Sequence, residues 1–224
     1  MASLASRLMC FIYAAGLLTA ATTAAQAEDV FPAPVARPAK PPSIAELNLP
    51  GPLGERSLGK ATAPVTIIEY ASLGCPVCAG FHTQILPKLK ADYIDTGKVR
   101  LIYREFPIGK SSLAAAHAAR CVAERHFFRI NEKLMSNRGG WNAREPDPGL
   151  LYKIVQETGI QRAAFDSCMA NQKTKDGLIW MKQRGRELGV KGTPSFFING
   201  QPVRGVLNYE EMRRLIEQHL QSAS

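Results

Sequence analysis

The 224-residue chain has only four histidines, at 82, 117, 126 and 219, and no two stand at metal-ligating spacing. It has no second Cys-x-x-Cys to join the pair at Cys75 and Cys78. A structural zinc site needs four ligands, so these two shortages together argue against a metal clip. Runs of like charge are missing too. Lys and Arg outnumber Asp and Glu by 28 to 19, a net charge of +9, yet the basic residues are scattered and no base-reading motif is present. A solvated basic surface accounts for this better than nucleic-acid binding, and attraction to an anionic envelope would be unspecific. Beyond the N-terminus no segment is long and apolar enough to cross a membrane, and no internal repeat is visible.

The N-terminus is set apart. Arg7 is the only charge before Glu28; it precedes the apolar run Leu8–Leu18 and small residues ending Ala25-Gln26-Ala27. This is the pattern of a secretory signal peptide cleaved after Ala27, with an uncleaved membrane anchor as the alternative, and it points to export to the periplasm. Cys10 lies inside the apolar run and would be lost on cleavage. The four remaining cysteines, Cys75, Cys78, Cys121 and Cys168, allow three disulfide connectivities in an oxidising compartment.

Residues 28–56 hold seven prolines, and residues 28–59 read as an extended arm or linker. A short oligomerising helix over Ser43–Leu47 would lack even two heptads, so a monomer is expected. Ordered structure is expected from near Ala63, within a domain over 60–224. "PVTIIEYAS" (64–72) predicts a buried strand, and "VRLIYREFP" (99–107) a second. Between them, apolar residues from Cys78 to Ile94 recur at helical spacing, with a kink expected at Pro87. Strand, helix, strand at this length predicts a parallel βαβ unit. Ala114, Cys121, Phe128 and Met135, spaced by seven, predict one face of a long helix. Short helices near 148–158 and 161–171 follow, then another over Thr174–Leu188. Asn199-Gly200 marks a hairpin, and Asn208 with Glu211 opens a final helix. The order is α/β, with a helical block of about 108–173 between segments 65–106 and 174–222.

A Cys-x-x-Cys at a helix start has specific chemistry. Cys75 would face unpaired N–H groups and the positive end of the helix dipole, which favour thiolate. A favourable terminus contributes about 0.5–2 kcal/mol, or up to about 1.5 pKa units. The thiolate attacks and leaves in disulfide exchange. Cys78, one turn on, falls on the apolar face and would be the buried resolving thiol. Pro76 supplies a preset φ at the first helical position. A staple spanning two residues would stabilise little. Glu69, in an apolar strand, is either an outward-facing carboxylate or a buried acid able to take the proton of Cys78. Thr193-Pro194 precedes a strand; it is either an ordinary trans turn or a cis-proline that leaves backbone free to pair with a bound peptide.

Strand, Cys75-Pro76-Val77-Cys78, helix with Pro87, helical insertion and Thr193-Pro194 before a hairpin together resemble the DsbA-like branch of the thioredoxin superfamily, over roughly residues 60–222. The resemblance implies a thioredoxin fold with an inserted helical subdomain. It implies Cys75 as nucleophile, Cys78 as resolving cysteine, Pro194 as a cis-proline, and Glu69 as the buried acid. Thr193, Pro194, Pro76 and Val77 would meet the substrate. DsbA itself has Pro-His between its cysteines, so Pro76-Val77 removes one source of thiolate stabilisation. Cys121 and Cys168 are either two buried thiols or a second bridge; export favours the bridge, and some alphaproteobacterial DsbA-like proteins are similar in carrying one. The implied activity is donation of the Cys75–Cys78 disulfide to reduced exported proteins, with reoxidation by a membrane partner of the DsbB type and no metal or organic cofactor. The alternatives are an isomerase or reductase held reduced by another membrane partner, and a chaperone-like binding module.

Overall fold

The computed structural model describes residues 42–203 and 207–222; the expected leader at 1–27 and the arm as far as Pro41 lie outside the described residues. At its centre is a strand too apolar to face water on either side. β2 (Val65–Ala71) pairs in parallel with β3 (Val99–Glu105), with Glu69 opposite Tyr103. β4 (Ser195–Ile198) runs antiparallel to β2, and β5 (Gln201–Val203) antiparallel to β4. The turn between them is Asn199-Gly200, with φ of 45° and 84°, the left-handed values that a two-residue hairpin needs. β1 (Arg56–Leu58) pairs antiparallel with β3, so the order is β1-β3-β2-β4-β5.

Residues 76–94 form one continuous helix, α2, across the βαβ connection. It contains two wide turns, Phe81–Ile85 and Lys90–Ile94. In the first, the Leu86 N–H donates to the Phe81 carbonyl, five residues back. Pro87 follows at once. Proline has no N–H to give, and its ring crowds the carbonyl four residues earlier. One extra residue per turn opens the helix where that crowding would fall, so the expected kink is a widened turn.

Period-two alternation divides β2 between two layers. Val65 and Ile67 pack with Phe81 and Leu89 of α2 and with Met212 and Ile216 of α9 (Tyr209–Ser222). Ile68 and Tyr70 pack on the other face with Leu47, Phe106, Leu188 and Phe197. A sheet covered on both faces accounts for the near-continuous apolar run in β2. Asn208 and Glu211 exchange backbone and side-chain bonds of 2.9 Å at the start of α9, as expected. The architecture is the thioredoxin fold with inserted helices.

The insertion comprises α3 (Lys110–Arg120), α4 (Phe127–Ser136), α5 (Arg138–Trp141), α6 (Pro148–Val155) and α7 (Arg162–Met169); α8 (Gln172–Glu187) returns the chain to the sheet. The single long helix expected from the seven-residue spacing is two helices. The chain leaves α3 at Cys121, and Ala123 is extended, with ψ of 145°. The break turns Phe127 rather than Phe128 inward, and Phe127, Ile130, Asn131, Leu134 and Met135 become the buried face of α4. Cys121 is disulfide-bonded to Cys168 of α7, with S–S 2.04 Å and Cα–Cα 5.8 Å. No helix among the described residues is long and apolar enough to cross a membrane.

Structure begins earlier than Ala63. α1 (Ile44–Asn48) is closed by a Ser43–Glu46 capping box, and Leu47, 1 % exposed, enters the core on its own sheet. Helix α1 is thus seated on the domain itself. Arginines hold the following segment down. Arg104 donates to the Leu49 carbonyl and Arg184 to that of Glu46, and Arg100 pairs with Glu55. Arg120 donates to the carbonyls of Leu53 and Gly54 while pairing with buried Glu105, its Nη2 at 2.9 Å from Oε2. The proline-rich composition hid this because the partners come from distant parts of the chain.

Two stability predictions follow from these contacts. Removing one member of a buried pair strands the other charge, so Arg120→Ala should destabilise by about 3–5 kcal/mol in a denaturant titration. Replacing both Cys121 and Cys168 by Ala frees a 47-position loop and should cost about 4 kcal/mol on the chain-entropy account; an unchanged midpoint for either variant contradicts the corresponding assignment.

Candidate active site

Cys75 is the N-cap of α2, with extended φ and ψ of −82° and 123°, and Pro76 opens the first turn. Extended backbone at the cap aims the Cys75 side chain back across the helix start. Cys78 lies one turn on and is fully buried, whereas Pro76 and Val77 are exposed. Both cysteines are free thiols.

The two sulfurs share one proton unequally. The hydrogen bond from the Cys78 thiol is the main force lowering the Cys75 thiol from 9.0 to about 5. Partial burial of Cys75 works the other way. Thr193 and the Val77 and Cys78 amides add to the lowering, although no full capping bond closes at the helix start. Cys78 is pushed far above its ordinary value by the same hydrogen bond, by burial and by the charge of Glu69. One sulfur is therefore a thiolate at neutral pH and its neighbour a thiol.

Across the helix start, the Thr193-Pro194 peptide bond is cis. The Cys75 sulfur lies 3.3 Å from the Thr193 carbonyl oxygen, to which it donates only when protonated. A groove of about 180 Å³ runs beside this loop, lined by Val77, Phe81, Ile85, Pro194, Phe196 and Leu207. Thus Cys75, Cys78, Pro76, Val77, Thr193 and Pro194 come together, while Cys121–Cys168 stays apart within the insertion. His117 lies within 4.8 Å of those two sulfurs, but the bond between them removes both as thiolate ligands.

Glu69 is buried, not outward-facing. It lies on the α2 side of β2 and is bound by His82, whose Nε2 is 2.9 and 3.1 Å from the two carboxylate oxygens. In the sequence His82 is one of four scattered histidines, four positions after Cys78 and thus on the same face of the helix. That placement was itself the signal, since a polar ring on an apolar face must find a buried partner. Ser72 and Ser112 were also missed. Their hydroxyls bond at 2.7 Å, Ser112 accepts the Gly74 N–H at 3.4 Å, and Ser72 accepts that of Ile108 at 3.3 Å. Together they tie the loop before Cys75 to the first turn of α3.

Known proteins share this arrangement. The thioredoxin family model matches residues 53–218. A putative protein-disulfide oxidoreductase of Rickettsia bellii is 32% identical over 148 residues, 64% of this chain and 56% of the relative. The chain thus spans little more than half the length of such relatives. Disulfide bond formation protein D of Bacillus subtilis is 28% identical over 177 residues, 75% of this chain and 78% of that protein. Among solved structures, Wolbachia pipientis alpha-DsbA1 superposes with a TM-score of 0.74 at 31% identity, covering 81% of this chain and 98% of its own. Oxidised BdbD from Bacillus subtilis gives 0.70 at 25%, covering 84% and 100%. With its fold, its Cys75–Cys78 helix start and these matches, the chain belongs to the DsbA-like branch of the thioredoxin family.

Proposed function

We propose that this chain is an exported thiol–disulfide oxidoreductase that oxidises pairs of cysteines in periplasmic proteins. The observation that carries the reading is the division of labour between the sulfurs, a half-exposed Cys75 held as thiolate over a buried Cys78 held as thiol. In the oxidised enzyme a substrate thiolate attacks the Cys75 sulfur and the Cys75–Cys78 bond breaks. Cys78 takes up a proton, and the substrate remains joined to Cys75. The substrate's second thiolate then attacks its own bound sulfur, and Cys75 leaves as thiolate. A sulfur already stabilised as an anion is a good leaving group, which drives electrons from substrate to enzyme.

The loss of an imidazole between the cysteines is offset by Thr193, Cys78 and the helix amides around the same sulfur. Val77, Pro194 and the apolar groove would receive an extended, unfolded substrate segment or the loop of a membrane thiol oxidase that restores the disulfide. Glu69 would receive the proton of Cys78. The seating of α1 on its own sheet favours a single-chain oxidase over an isomerase assembled through its N-terminal region. Export rests on the leader pattern at 1–27.

Cys75→Ser should reduce oxidation of a reduced, unfolded substrate to the uncatalysed rate; retention of full activity would make the cysteine pair incidental to a binding role. The thiolate also sets a pH signature. Because the folded value of Cys75 is lowered to about 5, ionisation stabilises the reduced protein fully above the ordinary thiol range, near 9. That contribution declines as pH falls and is gone below about 5. Alkylation of Cys75, read by mass, should accordingly keep a nearly constant rate from pH 8 down to about 6 and fall steeply below about 5; a rate that rises tenfold per unit through neutral pH contradicts the assignment.

A further inference from the structure

One helical turn beyond Cys78, and near enough for the Glu69 charge to act on its thiol, lies a buried polar pair in an otherwise apolar layer. Glu69 is 0 % exposed and His82 3 %. A single ring nitrogen, Nε2 of His82, spans both carboxylate oxygens at 2.9 and 3.1 Å. Tyr103 sits opposite Glu69 on the neighbouring strand, its ring edge-on to His82 at 5.7 Å and its buried hydroxyl without a partner among the described residues. The walls are aromatic. Phe81 meets His82 edge-on and Phe196 at a tilt, and Phe127 and Phe128 meet Tyr103 edge-on.

Burying such a pair is costly, and an apolar pair of similar volume would serve stability at least as well. A chemical use accounts for its place. Whenever the enzyme is reoxidised, the Cys78 thiol must lose a proton deep inside the protein.

We propose that His82 is a positioning residue for this proton transfer, its ring holding in place the carboxylate of Glu69, the acid read above as acceptor of the Cys78 proton. This deepens, and rests on, the reading of Cys75–Cys78 as the exchanging pair. In reoxidation the Cys75 thiolate attacks a partner disulfide and expels one partner thiolate. The Cys78 proton passes to Glu69 of the Glu69–His82 pair, and the Cys78 thiolate attacks the Cys75 sulfur. The second partner thiolate leaves with the electron pair, so two electrons move to the partner and one proton stays in the enzyme. On the next substrate turnover the same pair returns its proton to Cys78 as the disulfide breaks. The titratable groups facing this pair are Cys78 and Cys75 on α2 and Tyr103 on β3, with Glu105 and Arg120 acting on Tyr103 from further off. Phe196 of β4 and Phe127 and Phe128 of α4 contribute only apolar surface.

The test isolates the second step. A glutathione mixed disulfide is placed on Cys75, and its release by Cys78 is timed by stopped flow from pH 5 to 9 in wild type, His82→Phe and His82→Gln. His82→Phe should slow release at neutral pH by tenfold or more and move the profile to higher pH. His82→Gln, which still donates an N–H to the carboxylate, should stay within threefold of wild type. A wild-type rate and profile in His82→Phe overturns the proposal, as does equal slowing of both variants with no change in profile. Should His82→Phe fail to fold, imidazole nitrogen NMR of the wild-type protein decides. The His82 resonances should titrate differently in the disulfide and dithiol states, and identical titrations overturn the proposal. Failure of the underlying reading would look different, because Cys75→Ser would then retain substrate oxidation.

Discussion

The hydrogen bond from the Cys78 thiol to the Cys75 sulfur is the contact around which the rest of the molecule is arranged. It places one proton on the buried sulfur and leaves the outer one as anion. That arrangement survives only if the two sulfurs keep their separation and their different surroundings. The N-cap geometry at Cys75 and the burial of Cys78 one turn later set the separation. The surroundings come from elements far apart in sequence: the loop before β4 brings Thr193 to the outer sulfur, and β2 supplies Glu69, whose charge acts on the inner one.

The sheet supplies the rigidity this requires. β2 is covered on both faces, so its side chains cannot slip register without moving Glu69 out of the layer that holds Cys78. The serine pair Ser72–Ser112 joins the loop before Cys75 to the insertion. The insertion is in turn held to the sheet by Arg120 and Glu105 and closed on itself by Cys121–Cys168. A helical block that looks dispensable on the sequence therefore takes part in holding the approach to the cysteine pair. The groove beside Val77 and Pro194 lies on the same side of this frame as the half-exposed Cys75.

Much of this was legible in the residues. Hydrophobic alternation located β2 and β3, Asn199-Gly200 the hairpin, and Asn208 with Glu211 the last helix, because each is a local signal. What was hidden is non-local. The segment before β1 reads as loose chain by its prolines, yet arginines from β3, α3 and α8 fasten it down. The seven-residue spacing through Cys121 suggested one helix, but burying Phe127 required a break that periodicity alone could not show. Glu69 was recognisable as an oddity in an apolar strand. Its partner was not, since His82 is thirteen positions away and the pairing depends on how α2 sits on the sheet. Pro87 was seen as a disturbance, though not that a widened turn would absorb it.

The central claim is that stabilisation of the Cys75 thiolate makes the reduced enzyme the favoured state and the disulfide a strong oxidant. The direct measurement is the equilibrium of the Cys75–Cys78 pair with reduced and oxidised glutathione at neutral pH, followed by alkylation and mass. The account predicts a potential well above about −200 mV, toward the ~−120 mV of a strong dithiol oxidant. A value near the ~−270 mV of a reducing thioredoxin would contradict it.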